Sequence, residues 1–287
     1  MQQKSSDRFA SKHWLITGVS SGFGRALWDA ALRRGDRVTG TVRTEAARAA
    51  IMRAAPNHAV VRLLDVTDDS AVRATVAATE TETGPVDIVV NNAGYGLVAA
   101  VEEASLTEIR AQFEVNLFGA IAVMQAVLPA MRARRAGRII NISSVSGLVG
   151  WPSLGIYSGS KFALEGISET LAEEVAPLGI HVILIEPGGF RTDFAGRSRA
   201  ESVRNISDYE VTVGANRQIL RDHAGHEPGD PAKAAQAILQ IADVSSPPRR
   251  LMLGADALGY ARRKFQQHAA EIDAWLALTR STDFGSG

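Results

Sequence analysis

Apolar and polar positions alternate in blocks along the chain: short β-rich runs, each followed by a longer stretch with helical spacing. Strands are expected at 13–17, 37–42, 59–65, 86–90, 138–143, 181–186 and 250–253, and helices at 24–34, 46–55, 68–83, 106–135, 156–176 and 231–242. Gly35 stops the first helix, Pro56 the second, Asp68 or Asp69 caps the third, and Asp230 with Pro231 opens the last. The strands are apolar at nearly every position, as strands covered on both faces must be. Repeated β-α-β units of this kind predict an α/β fold, doubly wound, with a seven-stranded parallel sheet and helices on both faces. Nothing splits the chain, so a flexible tail at 1–11 and a single domain at 12–287 are expected. One segment, 191–229, is polar and of mixed helical character; a connection that long is expected to be a lid or binding loop. The last residues, 282–287, are expected to fray.

Composition narrows the partners. With 46% apolar and 22% charged residues the chain is neither disordered nor fibrous. Lys plus Arg and Asp plus Glu both number 31, so no global field draws in nucleic acid or anionic lipid. The absence of cysteine removes disulfides, thiolate metal sites and thiol nucleophiles. No run reaches the roughly 18–20 apolar residues of a membrane helix, and the first ten residues are polar. A soluble, cytoplasmic protein without nucleic-acid or membrane partners is expected, and the sequons at Asn141 and Asn205 are read as chance matches.

The first strand runs into Thr17-Gly18-Val19-Ser20-Ser21-Gly22-Phe23-Gly24. Three glycines between strand and helix allow a tight turn, close backbone approach to a pyrophosphate and close helix packing, with the helix N-terminus aimed at the anion. The same residues fit the Gly-x-Ser-x-Gly elbow of serine hydrolases, with Ser20 as nucleophile and Asp193 and His223 or His226 as partners. That elbow normally follows a mid-chain strand, which favours the dinucleotide reading. Ser158 and Lys161 match a penicillin-binding Ser-x-x-Lys, but its companion motifs are absent. His223 and His226, the only neighbouring histidines, are read as part of a solvated segment, and no metal site is expected.

Further motifs follow in order: Asn91-Asn92-Ala93-Gly94, Asn116, Ser144 with Tyr157-x-x-x-Lys161, and Pro187-Gly188. Together with the glycine turn they resemble the short-chain dehydrogenase/reductase family in its single-domain Rossmann form, nearest the hydroxysteroid- and retinol-dehydrogenase-like branch, over residues 12–253. Tyr157 and Lys161 are four apart and share a helix face. A neighbouring ammonium is expected to stabilise the phenolate, suiting Tyr157 to general acid/base work. The resemblance implies that Lys161 also binds the nicotinamide ribose, that Ser144 bonds the substrate oxygen, and that Asn116 holds a water leading from Lys161 to solvent. It likewise implies cofactor contacts at Gly18, Ser20, Ser21, Gly22, Phe23, Gly24, Asp65, Val66, Asn92, Ala93, Gly94, Tyr157, Lys161, Pro187, Gly188 and Thr192.

The end of the second strand bears on cofactor choice. NAD sites place an acid there for the ribose 2′-hydroxyl; here Val42 is followed by Arg43, a guanidinium suited to a 2′-phosphate, although Glu45 lies close. NADP(H) is expected. The implied substrate pocket takes in Tyr95, Ser144, Val145, Leu148, Trp151, Gly189, Phe190 and parts of 195–221. It has no obvious arginine clamp, and a small, fairly apolar ketone, aldehyde or alcohol fits. The expected activity is NADP(H)-dependent interconversion of a carbonyl and an alcohol by hydride transfer. A non-catalytic NADP-binding sensor or scaffold, a Ser20 hydrolase, and a fatty-acid-elongation reductase are the alternatives. The resemblance also implies a homodimer or homotetramer built on helices around 109–130 and 156–176.

Overall fold

The computed structural model describes residues 11–53, 55, 57–192 and 198–284. Seven strands, β1 (His13–Ile16), β2 (Arg37–Val42), β3 (Ala59–Leu63), β4 (Ile88–Asn91), β6 (Gly137–Ile142), β7 (Ile180–Pro187) and β9 (Arg250–Leu253), form one sheet in the order β3-β2-β1-β4-β6-β7-β9. Every pairing in it is parallel. This is the doubly wound Rossmann arrangement that the alternation predicted.

The two-residue pleat period sorts each apolar strand between two cores. Trp14, Ile16, Ile88, Val90, Ile140, Ile142, Ile183 and Ile185 face one side, where α1 (Gly22–Arg34) and α8 (Pro231–Asp243) contribute Leu27, Trp28, Ile238 and Leu239. Leu15, Val89, Ile139 and Val182 face the other, against α3 (Asp69–Thr83), α5 (Gly119–Arg134) and α6 (Gly155–Val175). Helix α2 (Glu45–Met52) follows β2. Asp68, rather than Asp69, caps α3, accepting from Ala71 N at 2.9 Å.

Several boundaries differ from the sequence expectation. The long helical stretch is not continuous: α4 (Leu106–Phe113) passes through a π-helical turn at Glu114–Phe118 into α5. The combined Leu106–Arg134 run has the length and hydropathy to cross a membrane, which corrects the expectation that no such stretch exists. Its Val123, Val127 and Met131 are buried against the sheet. Strand β4 begins at Ile88, two residues late, because Asp87 turns its carboxylate to His13 N at 2.8 Å.

The 191–229 segment folds back over the C-terminal edge of the sheet, apart from 193–197, which lie outside the described residues. Its strand β8 (Arg199–Glu201) pairs in parallel with β5 (Gly96–Val98), and helix α7 (Ala215–Asp222) follows. Glu103, 2% exposed, anchors it: the carboxylate accepts from Arg217 Nη2 at 2.6 Å, Ile206 N at 2.9 Å and Ala100 N at 2.8 Å. A further helix, α9 (Ala255–Ala274), continues into the short α10 (Leu276–Arg280). The sequence reading had left this region unassigned.

Candidate active site

Strand order reverses between β1 and β4, and crevices at such switch points hold ligands in open α/β sheets. A cavity of about 680 Å³ opens there, bounded by the C-terminal ends of the strands, the refolded 198–229 segment and the start of α9.

Its floor is the glycine turn. Gly18 and Gly22 sit at φ +74° and +58°, the left-handed region that glycine occupies without steric cost. Gly18 N and Val19 N each donate to Thr41 O at 3.0 Å, which locks the turn to β2. Asn92 Nδ2 donates to Thr17 O and Gly18 O, both at 2.9 Å, while Thr17 Oγ1 accepts from Asn92 N and Ala93 N. The Asn91-Asn92-Ala93-Gly94 segment is thus a latch on the turn as well as a wall. Gly18, Ser20, Ser21, Gly22 and Phe23 line the cavity, as do Asn92, Ala93 and Gly94. Gly24 does not; it is buried behind them, where a Cβ would stand 2.3 Å from Gly18 O and Asn92 Nδ2. Its part is the close approach of α1, not contact with a ligand.

Arg43, Asp65 and Val66 line one end. Arg43 is exposed at the rim, and Glu45 turns away to Arg48, whose Nε is 3.0 Å distant. Asp65 Oδ1 accepts from Thr67 N at 3.0 Å and Thr67 Oγ1 at 2.8 Å, so it shapes its own loop. Pro187, Gly188, Gly189, Phe190 and Thr192 close the side after β7, with the Phe190 ring 5.0 Å from that of Phe23.

At the other end the Tyr157 phenol is buried, and the Ser144 hydroxyl donates to its oxygen. Burial pushes the phenol up to about 12, with the Ser144 bond pulling the other way. Lys161 donates from Nζ to Ile142 O at 2.8 Å, and Nζ lies 5.9 Å from the Tyr157 ring centroid. Burial brings Lys161 down to about 8, opposed by the charge of Glu165. Burial is thus the largest influence on both groups, and it favours the neutral phenol and the neutral amine.

Asn116 stands in the π-helical turn, 2% exposed and off the cavity wall. It donates to Tyr95 O at 2.9 Å and Ser160 Oγ at 3.2 Å, and accepts from Tyr95 N at 3.0 Å. It braces the loop carrying Tyr95, which does line the cavity. A π turn shifts register by one residue, and such turns recur at functional sites. Ser144 and Val145 are on the wall, but Trp151 and Leu148 are not. Trp151 packs edge-on against Tyr260, with ring centroids 4.6 Å apart, and Tyr260 takes the wall position instead. The sequence reading missed Tyr260 and Asp256 of α9 and Leu154 of the loop before α6, while Leu220 of α7 falls within the expected 195–221. Asp256 Oδ2 accepts from Gly189 N at 2.7 Å and so ties α9 to the Gly188-Gly189 loop. Only the small side chains Ala257 and Ala261, spaced one helical turn apart, hinted that this helix docks on the body.

Ser20 is exposed, and among the described residues neither a histidine nor a carboxylate bonds to it; Asp193 lies outside them. His223 Nδ1 is engaged with Ile219 O at 2.9 Å. No group of three or more metal-ligating side chains occurs among the described residues.

Such a fold, with a glycine turn at the switch point and a buried Tyr-Lys pair beside a serine, defines a dinucleotide-binding oxidoreductase. The family model "short chain dehydrogenase" matches residues 12–202, and the chain belongs to that family. Oxidoreductase BOA17 of Botryotinia fuckeliana is 39% identical over 271 residues, 94% of this chain and 98% of that protein. Human retinol dehydrogenase 8 is 35% identical over 254 residues, 82% and 79% of the respective chains. Among solved structures, a short-chain dehydrogenase from Streptomyces avermitilis superposes with a TM-score of 0.90 at 42% identity, covering 96% of this chain and all of that one. A family member from Burkholderia phymatum in complex with NAD gives 0.80 at 26%, covering 92% and 96%.

Proposed function

We propose that the protein interconverts a carbonyl and an alcohol with NADP(H), on a small, fairly apolar substrate. The observation that carries this reading is the single cavity joining the glycine turn and Arg43 at one end to the Ser144–Tyr157 pair at the other. The cradle fits a dinucleotide: among the described residues a Cβ on Gly22 would meet only Thr192, at 3.6 Å, and the exposed Arg43 guanidinium at the rim supplies a charge suited to a 2′-phosphate. When bound, the nicotinamide supplies or accepts the hydride. Tyr157 donates its proton to the carbonyl oxygen in the reductive direction and recovers one in reverse; its raised pKa keeps it protonated at neutral pH, the state that reduction needs. Ser144, already bonded to the phenol, orients that proton toward a shared oxygen. Leu154 and Leu220, packed around Tyr157, exclude water and favour an apolar substrate. Phe118, Phe162 and Ile167, exposed around α5 and α6, support a homodimer or homotetramer.

Tyr157→Phe should retain NADPH affinity and lose most turnover; unchanged turnover sinks the acid/base role. Paired titrations following nicotinamide fluorescence should give tighter binding of NADPH than of NADH, a preference weakened by Arg43→Ala. Equal binding of both would leave the enzyme class standing and remove the Arg43 argument, in line with the NAD complex of the Burkholderia relative.

A further inference from the structure

Directly behind Lys161, away from the cavity, three elements converge on a buried charge cluster. Glu165 follows Lys161 by one turn of α6, Glu186 comes from β7 and Arg250 from β9. Glu165 is 5% and Glu186 0% exposed. Arg250 Nε lies 3.0 Å from Glu165 Oε2 and 3.3 Å from Glu186 Oε1, and its Nη2 donates to Glu169 Oε2 at 2.6 Å. Glu169, on the next turn of α6, is exposed and belongs to the solvent side of the cluster, with Arg249 beyond it. The Ser143 hydroxyl stands beside Glu165: a Cβ on Gly147 would be 2.7 Å from Ser143 Oγ and 3.3 Å from Glu165 Oε1. From inside the site, Lys161 is the charge that faces the cluster.

One guanidinium shared among three carboxyls leaves the buried pair short of donors. Among the described residues no donor satisfies either Glu186 oxygen or Glu165 Oε1 with ordinary hydrogen-bond geometry. Two facing buried carboxyls cannot both ionise at low cost, and one proton between them removes the repulsion and supplies the missing donor. Burial and the neighbouring Glu165 push Glu186 up to about 7, while burial also raises Glu165 against the pull of Ser143 and Arg250.

We propose that Glu165 and Glu186 share one proton and one negative charge under Arg250, and that the share of charge on Glu165 keeps Lys161 protonated beneath the phenol. The two glutamates are positioning residues that act through Lys161, without touching substrate or cofactor. The link to turnover rests on the function proposed above; the protonation of Lys161 does not.

The chain has five lysines, so lysine labelled with ¹³C at the ε carbon gives a spectrum in which Lys161→Arg identifies the Lys161 resonance. Its titration is followed in the wild-type protein, Glu165→Gln and Glu186→Gln. Removing the near carboxylate, one helical turn from Lys161, should lower the Lys161 midpoint by about one unit, the order of effect of a nearby opposite charge. Removing the far one places the full charge on Glu165 and should raise it. Opposite movements support the pair; an unmoved Lys161, or shifts in the same direction, overturns it, since general loosening would move both alike. If Glu165→Gln does not fold, the Glu186→Gln arm decides: a rise supports the pair, and no change or a fall refutes it. The alkaline limb of NADPH-dependent turnover should move in step with each midpoint. Opposite NMR shifts in a protein that turns over no carbonyl would uphold the pair and defeat the proposed function.

Discussion

Adding one methyl at Gly24 tests whether the close approach of α1 builds the cofactor cradle. An ideal Cβ there stands 2.3 Å from Gly18 O and 2.3 Å from Asn92 Nδ2, about 1 Å inside contact distance. Neither neighbour is a free side-chain end. Gly18 O belongs to the turn, and Asn92 Nδ2 is held by bonds of 2.9 Å to Thr17 O and Gly18 O. Relief therefore moves α1 away or breaks the latch. Overpacking costs about 1–3 kcal/mol, and the two Asn92 bonds are worth about 0.5–1.5 kcal/mol each. Ala gains up to about 1 kcal/mol over Gly within a helix. Since either route costs about 1–3 kcal/mol and the helix gain offsets at most about 1, Gly24→Ala is expected to lose about 1–3 kcal/mol, read as a lower urea midpoint at unchanged m, with NADPH affinity falling at least about tenfold. Gly22→Ala is the comparison: among the described residues its Cβ meets only Thr192, at 3.6 Å, an ordinary contact, so its cost is that of the left-handed backbone, about 1–2 kcal/mol. A Gly24→Ala variant no less stable than Gly22→Ala would refute the packing argument.

Asp36 accepts from the buried Trp14 Nε1 at 2.8 Å, so Asp36→Ala orphans that N–H; a loss of about 1–3 kcal/mol in guanidinium unfolding is expected, and under 0.5 kcal/mol would contradict it. Burial holds His13 below its usual pKa, so the neutral ring is favoured in the fold. That contribution is complete above about pH 6.5, the unfolded value, and is lost as pH falls through the lower folded value. The melting temperature should drop accordingly on acidification, with a shallower drop in His13→Gln. Although burial pushes Glu103 up, its bonds from Ile206 N, Ala100 N and Arg217 hold it below the ordinary range. Glu103→Ala strands the Arg217 charge, costs about 3–5 kcal/mol and should expose 198–229 to limited proteolysis; unchanged cleavage would show that the anchor lies elsewhere.

What the sequence determined by itself follows from local physics. The strands are legible because burial on both faces demands unbroken apolar runs, and a period of two sorts Trp14 and Ile16 from Leu15 without further information. The glycine turn is legible because only glycine enters φ +74° and +58° without strain, and it stands between a strand and a helix. Tyr157 and Lys161 were readable as neighbours on one helix face, and Ser144 joined them only through the family resemblance.

Contacts distant in sequence decided the rest. The π turn that carries Asn116 is set by Tyr95 and Ser160, which no local periodicity reports. Trp151 looked like a pocket wall, yet α9 brings Tyr260 across it, and that helix had no strong apolar stripe to announce its docking. From Phe265 to Phe284 every residue of the C-terminal helices is exposed, so the anchoring falls to a single turn around Ala257 and Ala261. The balance at Tyr157 and Lys161 also belongs to the tertiary structure. Spacing tells that a lysine adjoins a tyrosine; only the packed fold removes the water from both and sets Glu165, Glu186 and Arg250 behind them, and at Lys161 desolvation then outweighs the charge of Glu165.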